Sequence, residues 1–557
     1  MAGFNRGMIR AVGHGPLATE TSPSGTTHEG GPGYQRDAKS ELFLRATTMF
    51  VGEKAFYESA NQGANRLREL VGQLAVTDDG WNWLKGFLPW LRSDANIRTA
   101  GILLSVEAVK ARLAKGLVGD GNRELVARVL QRADEPGEVL AYWTSRYGKA
   151  IPKPIKRGVA DATVRLYSER GFLRYDSDAK GFRFGDVLEL THPETDKDWQ
   201  KDLFSWAITS RQGREDGRPA ESLKAISARR NLSRLDPSLR HEIARRALKG
   251  SSTDLARIQE AAAGQWEWVL SWLGDRPSVG EALTKAEQWE LILPTMGYMA
   301  LIRNLRNLDQ AELNDATALK LASRIMDPEQ VAASRQLPFR FYSSYLAAKS
   351  LRWGHALDRA LNLSLRNVPE LTGRSLILID TSASMETKMS DRSDRSLVES
   401  AALFGLALAL KNPENVDVYG FASGEFKVTG VERGLSLLKA VEAFIGHVGR
   451  VGHGTDIYGA VQRQFVNGRH DRVFIFTDMQ TVGNTGYGYR ADNTIVAGVP
   501  TYVPVYGFNL AGYQHSAMPV GEGNRHELGG LSDGTFALIP QLEAGTNGAW
   551  PWLVSGE

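Results

Sequence analysis

The chain has 557 residues, with 67 Lys+Arg against 64 Asp+Glu for a formal net charge of +3, and no cysteine. That length calls for two or more domains with sizeable cores. The lack of thiols excludes a disulfide framework and a thiolate metal site, and fits a reducing compartment. The opening Met1-Ala2-Gly3-Phe4-Asn5-Arg6 holds no apolar signal core. The longest apolar runs, 291–302 and 401–410, fall short of the ~20 residues a membrane span needs. A soluble, cytoplasmic protein is expected. The charge is uneven: residues 371–557 carry 14 Lys+Arg against 19 Asp+Glu, so the basic excess lies in the first part, where a polyanion would dock.

Residues 1–29 are rich in Gly, Ser, Thr and Pro and read as a flexible N-terminal arm. From Asp37 the apolar spacing turns helical. Patterns follow at 81–91, 96–115, 124–133, 139–147, 159–169, 239–248, 255–273, 279–293, 296–308, 316–324 and 342–364. Scarcely any strand pattern precedes Ser375. A long helical series of this kind predicts stacked helix pairs over 30–368, a weak repeat of the HEAT type. From Ser375 strands at 375–379, 416–421, 426–429, 472–477, 502–506 and 535–539 alternate with helices at 397–410, 435–445 and 457–465. This predicts a doubly wound parallel sheet over 371–557. The fold class is mainly α plus α/β.

The strand Ser375-Leu376-Ile377-Leu378-Ile379 ends in Asp380, with hydroxyls at Ser382 and Ser384. Thr455 follows Gly454, and Asp478 ends the strand-like run Phe474-Ile475-Phe476-Thr477. In an open α/β sheet, ligands sit outside the carboxyl ends of the strands. Oxygen donors with few carboxylates suit Mg²⁺, or another divalent cation, with waters completing the shell. The plainer alternative is that both aspartates only cap following helices. Asp380-x-Ser382-x-Ser384, Thr455 and Asp478, in that order, resemble the metal-ion-dependent adhesion site of von Willebrand factor A domains.

A basic segment runs from Arg146 to Arg183, with 10 Lys+Arg against 4 Asp+Glu. Lys153, Lys156 and Arg157 precede a helix, and Arg165 lies within it. Tyr147, Tyr167, Phe172, Tyr175 and Phe182 are interleaved. Cations for phosphates with aromatic faces for bases are what RNA binding requires. A solvated helix face over core aromatics is the competing explanation. The cluster Arg229, Arg230, Arg234, Arg240, Arg245, Arg246 and Lys249 spreads around its helices and reads as structural. Arg303 and Asn304 read as a buried polar anchor, and Trp81, Trp83 and Trp90 as core. No phosphate loop of the Gly-x-x-x-x-Gly-Lys type and no Gly-x-Ser-x-Gly elbow is present. Gly483, Gly486 and Gly488 read as a loop.

Several stretches together resemble the Ro autoantigen, or TROVE, family, in the manner of a bacterial member. They are Gly30-Gly31, Ile155-Lys156-Arg157-Gly158-Val159-Ala160, Phe184 to Pro193, and Met299 to Leu305, followed by the metal-site motifs. The resemblance implies a ring of HEAT-like helical repeats closed by a von Willebrand factor A-type domain. It implies a nonenzymatic, monomeric RNA-binding protein. Y-like RNA would bind on the outside, and the single-stranded ends of misfolded or decaying RNA in the hole. Polynucleotide phosphorylase or another exoribonuclease is the implied partner. Lys156, Arg157, Arg183 and His192 would belong to the RNA surface, with Lys153 and Arg165 beside them. Two departures stand out. His453 replaces a glycine and is expected to crowd the metal loop. Met479-Gln480-Thr481 replaces Asn-Glu-Thr and removes an acidic neighbour. The rival expectation is a scaffold that binds protein partners through the Mg²⁺ site.

Overall fold

The computed structural model of the chain describes residues 15–48, 58–119, 121–214, 218–334, 336, 338–348, 350–366, 368–388, 395–431, 436–481, 495–521, 523–529, 533–543 and 550–554. Two compact units form. One combines Met1–Leu104, Gln336–Ser343 and Leu361–Glu557; the other combines Ser105–Arg335 and Ser344–Ala360.

In the first unit a hairpin of β1 (Gly25–Thr26) and β2 (Pro32–Gln35) opens the described chain. The main sheet follows with β3 (Ser375–Asp380), β4 (Val416–Phe421), β5 (Glu425–Lys427), β6 (Arg472–Thr477) and β7 (Val505–Asn509). The short β8 (His515–Ser516) pairs with β2, and β9 (Arg525–Gly529) ends the main sheet. Its order is β5-β4-β3-β6-β7-β9, parallel throughout except for the antiparallel edge strand β5. Every residue of β3 and β6 is buried, as expected of central parallel strands covered on both faces.

The chain leaves β3 toward β4 on one side, and later leaves β6 toward β7 on the other. The order therefore reverses between β3 and β6, and the crevice at their carboxyl ends is a switch point. Helix Leu397–Lys411 opens on a capping box between Ser396 and Glu399 and is buried almost all round. It lies close over β3, because a Cβ on Gly405 would stand 2.7 Å from Ile379 Cδ1.

Three early helices, Ala38–Thr48, Ala60–Ala75 and Asp78–Ser93, belong to this unit rather than to a separate repeat segment. Aromatic packing explains it. Phe43 lies 5.3 Å from Trp550, and Trp83 5.3 Å from Trp552, the latter on helix Pro551–Val554. Trp81 and Trp83 are core, as expected.

Two expectations are corrected in this unit. Residues 535–539 are not a strand but part of helix Asp533–Glu543, whose Phe536, Ile539 and Leu542 share one buried face. A short apolar run does not by itself separate a buried strand from a buried helix. The last strand of the sheet, at the edge opposite β5, is instead the polar β9, whose sequence carries no alternation. The flexible arm is corrected over its described part: Leu17 is 3% exposed, and Thr27 and Gly31 are buried. Residues 1–14 of that arm, and Gly483, Gly486 and Gly488, lie outside the described residues.

The second unit is helical, with no strand among its described residues. Helices pack pairwise, as Asn122–Val129 does on Lys153–Leu166, Phe184–Thr191 on Asp198–Arg211, and Lys224–Ser233 on Ser252–Ala262. The expected helix at 279–293 begins only at Lys285, where Thr284 and Glu287 form a capping box after a stretch holding Pro277 and Gly280. Arg303 is exposed and is no buried anchor, whereas Asn304 donates to Ala300 O at 2.8 Å.

Candidate functional site

The end of β3 places Asp380 at the switch point, and the chain then turns through Ser382 into a short 3₁₀ segment, Ala383–Glu386. Ser382 N–H donates to Asp380 Oδ1 at 2.8 Å, and Ser382 Oγ lies 3.2 Å from Ser384 Oγ. From the neighbouring strand, Thr477 Oγ1 donates to Asp380 Oδ2 at 2.6 Å. Asp478 follows directly, with Gln480 N–H donating to its Oδ1 at 3.0 Å. The loop carrying Thr455 is drawn alongside by Ala383 N–H, which donates to His453 O at 3.0 Å. Asp456, beside Thr455, caps helix Ile457–Gln464 through Gly459 N–H. The fold thus assembles Asp380, Ser382, Ser384, Thr455 and Asp478 from three loops.

All five are at most 2% exposed. Burial pushes Asp380 up to about 6, against the hydrogen bonds from Ser382 and Thr477. Burial, and then the neighbouring Asp380 carboxylate, push Asp478 up to about 8. Asp478 Oδ2 is buried and has no hydrogen-bond partner among the described residues. A buried carboxylate oxygen left unsatisfied costs roughly 1–3 kcal/mol or more, so it calls for an ion or a water. Two buried carboxylates with adjacent hydroxyls and an orphaned oxygen fit a hard divalent cation. Among the described residues no group of three His, Cys, Asp or Glu side chains could hold a metal. The donor set is therefore rich in hydroxyls, the kind that suits Mg²⁺. Helix capping, the plainer alternative, accounts for only one oxygen of each aspartate.

His453 does not crowd the site. Its side chain is 64% exposed and lies 3.4 Å from Glu386, and it is the backbone carbonyl that serves the loop. The replacement Gln480 has a structural use, because its Oε1 accepts His28 N–H at 2.7 Å. That bond, with Thr27 Oγ1 donating to Thr481 O at 2.7 Å, fastens the tip of the β1–β2 hairpin beside the site. Composition concealed this, since Gly, Ser and Thr serve a docked hairpin as well as a loose arm.

In the second unit, helix Lys153–Leu166 begins after Pro152 with no acidic residue in its first turn. Lys153 and Arg157 are exposed and Lys156 half-buried, on the face opposite Ile155, Val159 and Ala162. Among the described residues, none of the three cations has an ion-pair partner. Gly158 allows a close approach to helix Asn122–Val129: a Cβ there would stand 2.6 Å from Arg123 O. Arg165 and Arg183, expected on the same surface, have their guanidinium groups engaged within their own unit, although Arg165 is exposed and Arg183 half-buried. Arg165 Nη2 donates to Ala127 O at 2.7 Å and also to Leu130 O, at the end of helix Asn122–Val129. Arg183 pairs with Asp176 and, at 2.8 Å, with Asp178. His192 ends helix Phe184–Thr191 with φ 47°, leaving its imidazole exposed. Arg229, Arg240 and Arg246 of the second cluster are structural, as expected. Arg229, for instance, donates to Ala261 O and Ala262 O, and burial pushes it down to about 10.

Residues 266–352 match the model of the TROVE domain family. Among solved structures, the Ro (RSR) protein of Deinococcus radiodurans shares the fold, with a TM-score of 0.58 and 17% identity. The alignment covers 91% of this chain and 100% of that one. The likeness to the TROVE domain thus covers residues 266–352, and the likeness to the Ro protein is one of fold. No curated protein matches the chain in sequence. The TROVE match spans seven α-helices among the described residues, from Trp266–Trp272 to Pro338–Ala347, and lies downstream of the basic helix Lys153–Leu166. Among the described residues, no helix is long and apolar enough to cross a membrane.

Proposed function

We propose that this protein is a nonenzymatic, cytoplasmic RNA-binding member of the Ro family. It binds Y-like noncoding RNA and the single-stranded ends of misfolded or decaying RNA, and works in RNA quality control with an exoribonuclease. A monomeric ring of helical repeats closed by a von Willebrand factor A-type domain belongs to the same proposal. The observation that carries it is the start of helix Lys153–Leu166. Three cations without ion-pair partners among the described residues stand where the helix N-terminus is itself positive, and no acidic side chain lies in the first turn to offset it. That arrangement costs stability unless an anion is bound, and it is chemically suited to phosphate. His192 would add a contact, while Arg165 and Arg183 brace the helices that present the face. The test is a gel shift of the full chain with a structured Y-like RNA, across a series of KCl concentrations. Binding that resists salt, or no binding, would count against it.

Asp380, Ser382, Ser384, Thr455 and Asp478 would hold Mg²⁺, supported by the buried, unpartnered Asp478 Oδ2. When bound, the ion supplies positive charge that offsets two carboxylates in a dry crevice. The residues themselves join the ends of β3 and β6 to the 453–455 loop. The alternative, a scaffold that grips a partner's acidic side chain through this site, draws less support because all five donors are buried.

A further inference from the structure

We propose that the β1–β2 hairpin is a clasp released by acid, with the His515 imidazole as its proton-sensitive catch. The inference stands on the contacts of the hairpin and needs neither the RNA nor the metal reading.

The hairpin is hinged at its base and held at its tip. At the base, Thr19 and Arg36 pair in an antiparallel bridge, and Thr19 N–H donates to Val520 O at 3.2 Å. Arg36 is also fixed there by its buried ion pair with Glu527. At the tip, Thr27 Oγ1 donates to Thr481 O at 2.7 Å, Gly31 N–H to the same carbonyl at 3.1 Å, and His28 N–H to Gln480 Oε1 at 2.7 Å. Between the two, His515 of β8 reaches across β2 to β1. A Cβ on Gly33 would stand 3.0 Å from His515 Cβ and Cγ, and one on Gly25 2.6 Å from His515 Nε2. Gly25 and Gly33 oppose each other directly in the β1–β2 ladder, so the imidazole lies along a floor made by a pair of glycines. Any side chain on that floor would meet the ring.

An imidazole seated on backbone in this way is held neutral. His515 is half-buried, and its ring has no hydrogen-bond partner among the described residues. The imidazolium would bring two N–H donors and a charge to a seat that satisfies neither. The surrounding charges agree. β1 and β2 carry no charged residue. Arg36 at the base and His28 at the tip oppose protonation, while Glu20 and Glu41, on helix Ala38–Thr48, favour it. Glu41 is already committed to Arg45 and Arg66. Burial is the largest influence, and with Arg36 it holds His515 below the ordinary histidine value. Docking is therefore complete above the ordinary range near 6.5, and weakens as pH falls below it, when the lifted hairpin takes the proton more readily. Acid then frees residues 20–35 from the loop after β6, with the base still fixed at Thr19 and Arg36.

The experiment follows amide hydrogen exchange of residues 24–33 in the full chain from pH 5 to pH 8, corrected for intrinsic rates. EDTA is present throughout, so that no cation enters the comparison. The His515 ring is followed in parallel by NMR of the chain labelled with ¹³C-histidine. The opening constant of 24–33 is expected to rise by up to about tenfold for each pH unit below 6.5, and the His515 resonance to titrate below that value. Asp380 and Asp478 are raised by burial and so favoured by acid, which leaves acid-induced opening to the histidine. His515→Phe keeps a flat ring without the proton and should hold the protection of 24–33 constant over the whole range. Protection that falls with acid equally in His515→Phe and the wild type would overturn the catch. So would a wild-type His515 that titrates at or above 6.5, a result that stands whether or not the variant folds.

Discussion

Arg36 and Glu527 form an ion pair in which neither side chain is exposed to solvent. Arg36 ends the hairpin segment, and Glu527 sits in β9 at the edge of the main sheet. Arg36 also donates to Tyr513 O, and Asn509 Nδ2 donates to Glu527 Oε1 at 2.7 Å, so the charges are well surrounded. Removing one partner strands the other charge in a dry site, at a cost of about 3–5 kcal/mol. Arg36→Ala and Glu527→Gln are each expected to lower the midpoint of urea unfolding strongly. Arg36→Met with Glu527→Leu should recover much of the loss. A single substitution with a wild-type midpoint would show the pair to be idle.

The Lys156→Glu/Arg157→Glu double variant should bind RNA at least tenfold more weakly at moderate salt. The slope of log affinity against log salt should fall by about 0.7–0.9 for each phosphate no longer neutralised. Arg183→Ala is expected to act on stability instead, because its guanidinium is paired with Asp176 and Asp178. Gel shifts over a KCl series, with thermal melts beside them, separate the two effects.

The metal-free centre makes stability depend on pH. Asp380 and Asp478 are raised to about 6 and about 8, so the folded chain binds protons that the unfolded chain has released. Stability from this source is complete below the ordinary aspartate range near 4, and is lost as pH rises through about 6 and then about 8. Mg²⁺ favours the ionised carboxylates and works in the opposite sense. Melting temperature in EDTA should therefore fall between pH 5 and pH 8.5, and MgCl₂ should restore more of it at the upper end. Equal metal stabilisation at both ends would speak against ligation by these carboxylates.

Gly158 sets how closely the basic helix approaches its neighbour. A Cβ there would stand 2.6 Å from Arg123 O and 2.8 Å from Val126 Cβ. Gly158→Val should separate the helices at a cost of about 1–3 kcal/mol. It should also weaken RNA binding, although no cation is touched. A melting temperature within a degree of the wild type would show that the close approach relaxes freely.

Much of the architecture was readable from local pattern. β3 and β6 are uninterrupted apolar runs ending in aspartate, and strands of that kind are specified by their own composition. The order Asp380, Ser382, Ser384, Thr455, Asp478 pointed to the site because Asp380, Ser382, Ser384 and Asp478 lie at or just after the ends of β3 and β6, while Thr455 stands just before helix Ile457–Gln464. What escaped had other causes. β9 pairs through its backbone and buries Glu527 against Arg36, a long-range compensation that no local window contains. The 533–543 helix shows only a short apolar run, equally suited to a strand. Arg165 and Arg183 have the composition of a ligand surface, but their guanidinium groups serve carbonyls and carboxylates of their own unit. Side-chain charge shows in sequence; whether that charge is already satisfied does not.

The hydrogen bond between Thr27 and Thr481 spans 454 positions. On a ribosome adding about 5–20 residues per second, Thr27 emerges some 20–90 s before its acceptor exists. Over that interval the β1–β2 turn has nothing to rest on, while the helices of residues 105–335 have time to fold. The centre at Asp380 and Asp478 is thus among the last features of the molecule to be finished, and a nascent chain halted short of Thr481 would leave Thr27 and Gly31 without the carbonyl they bond.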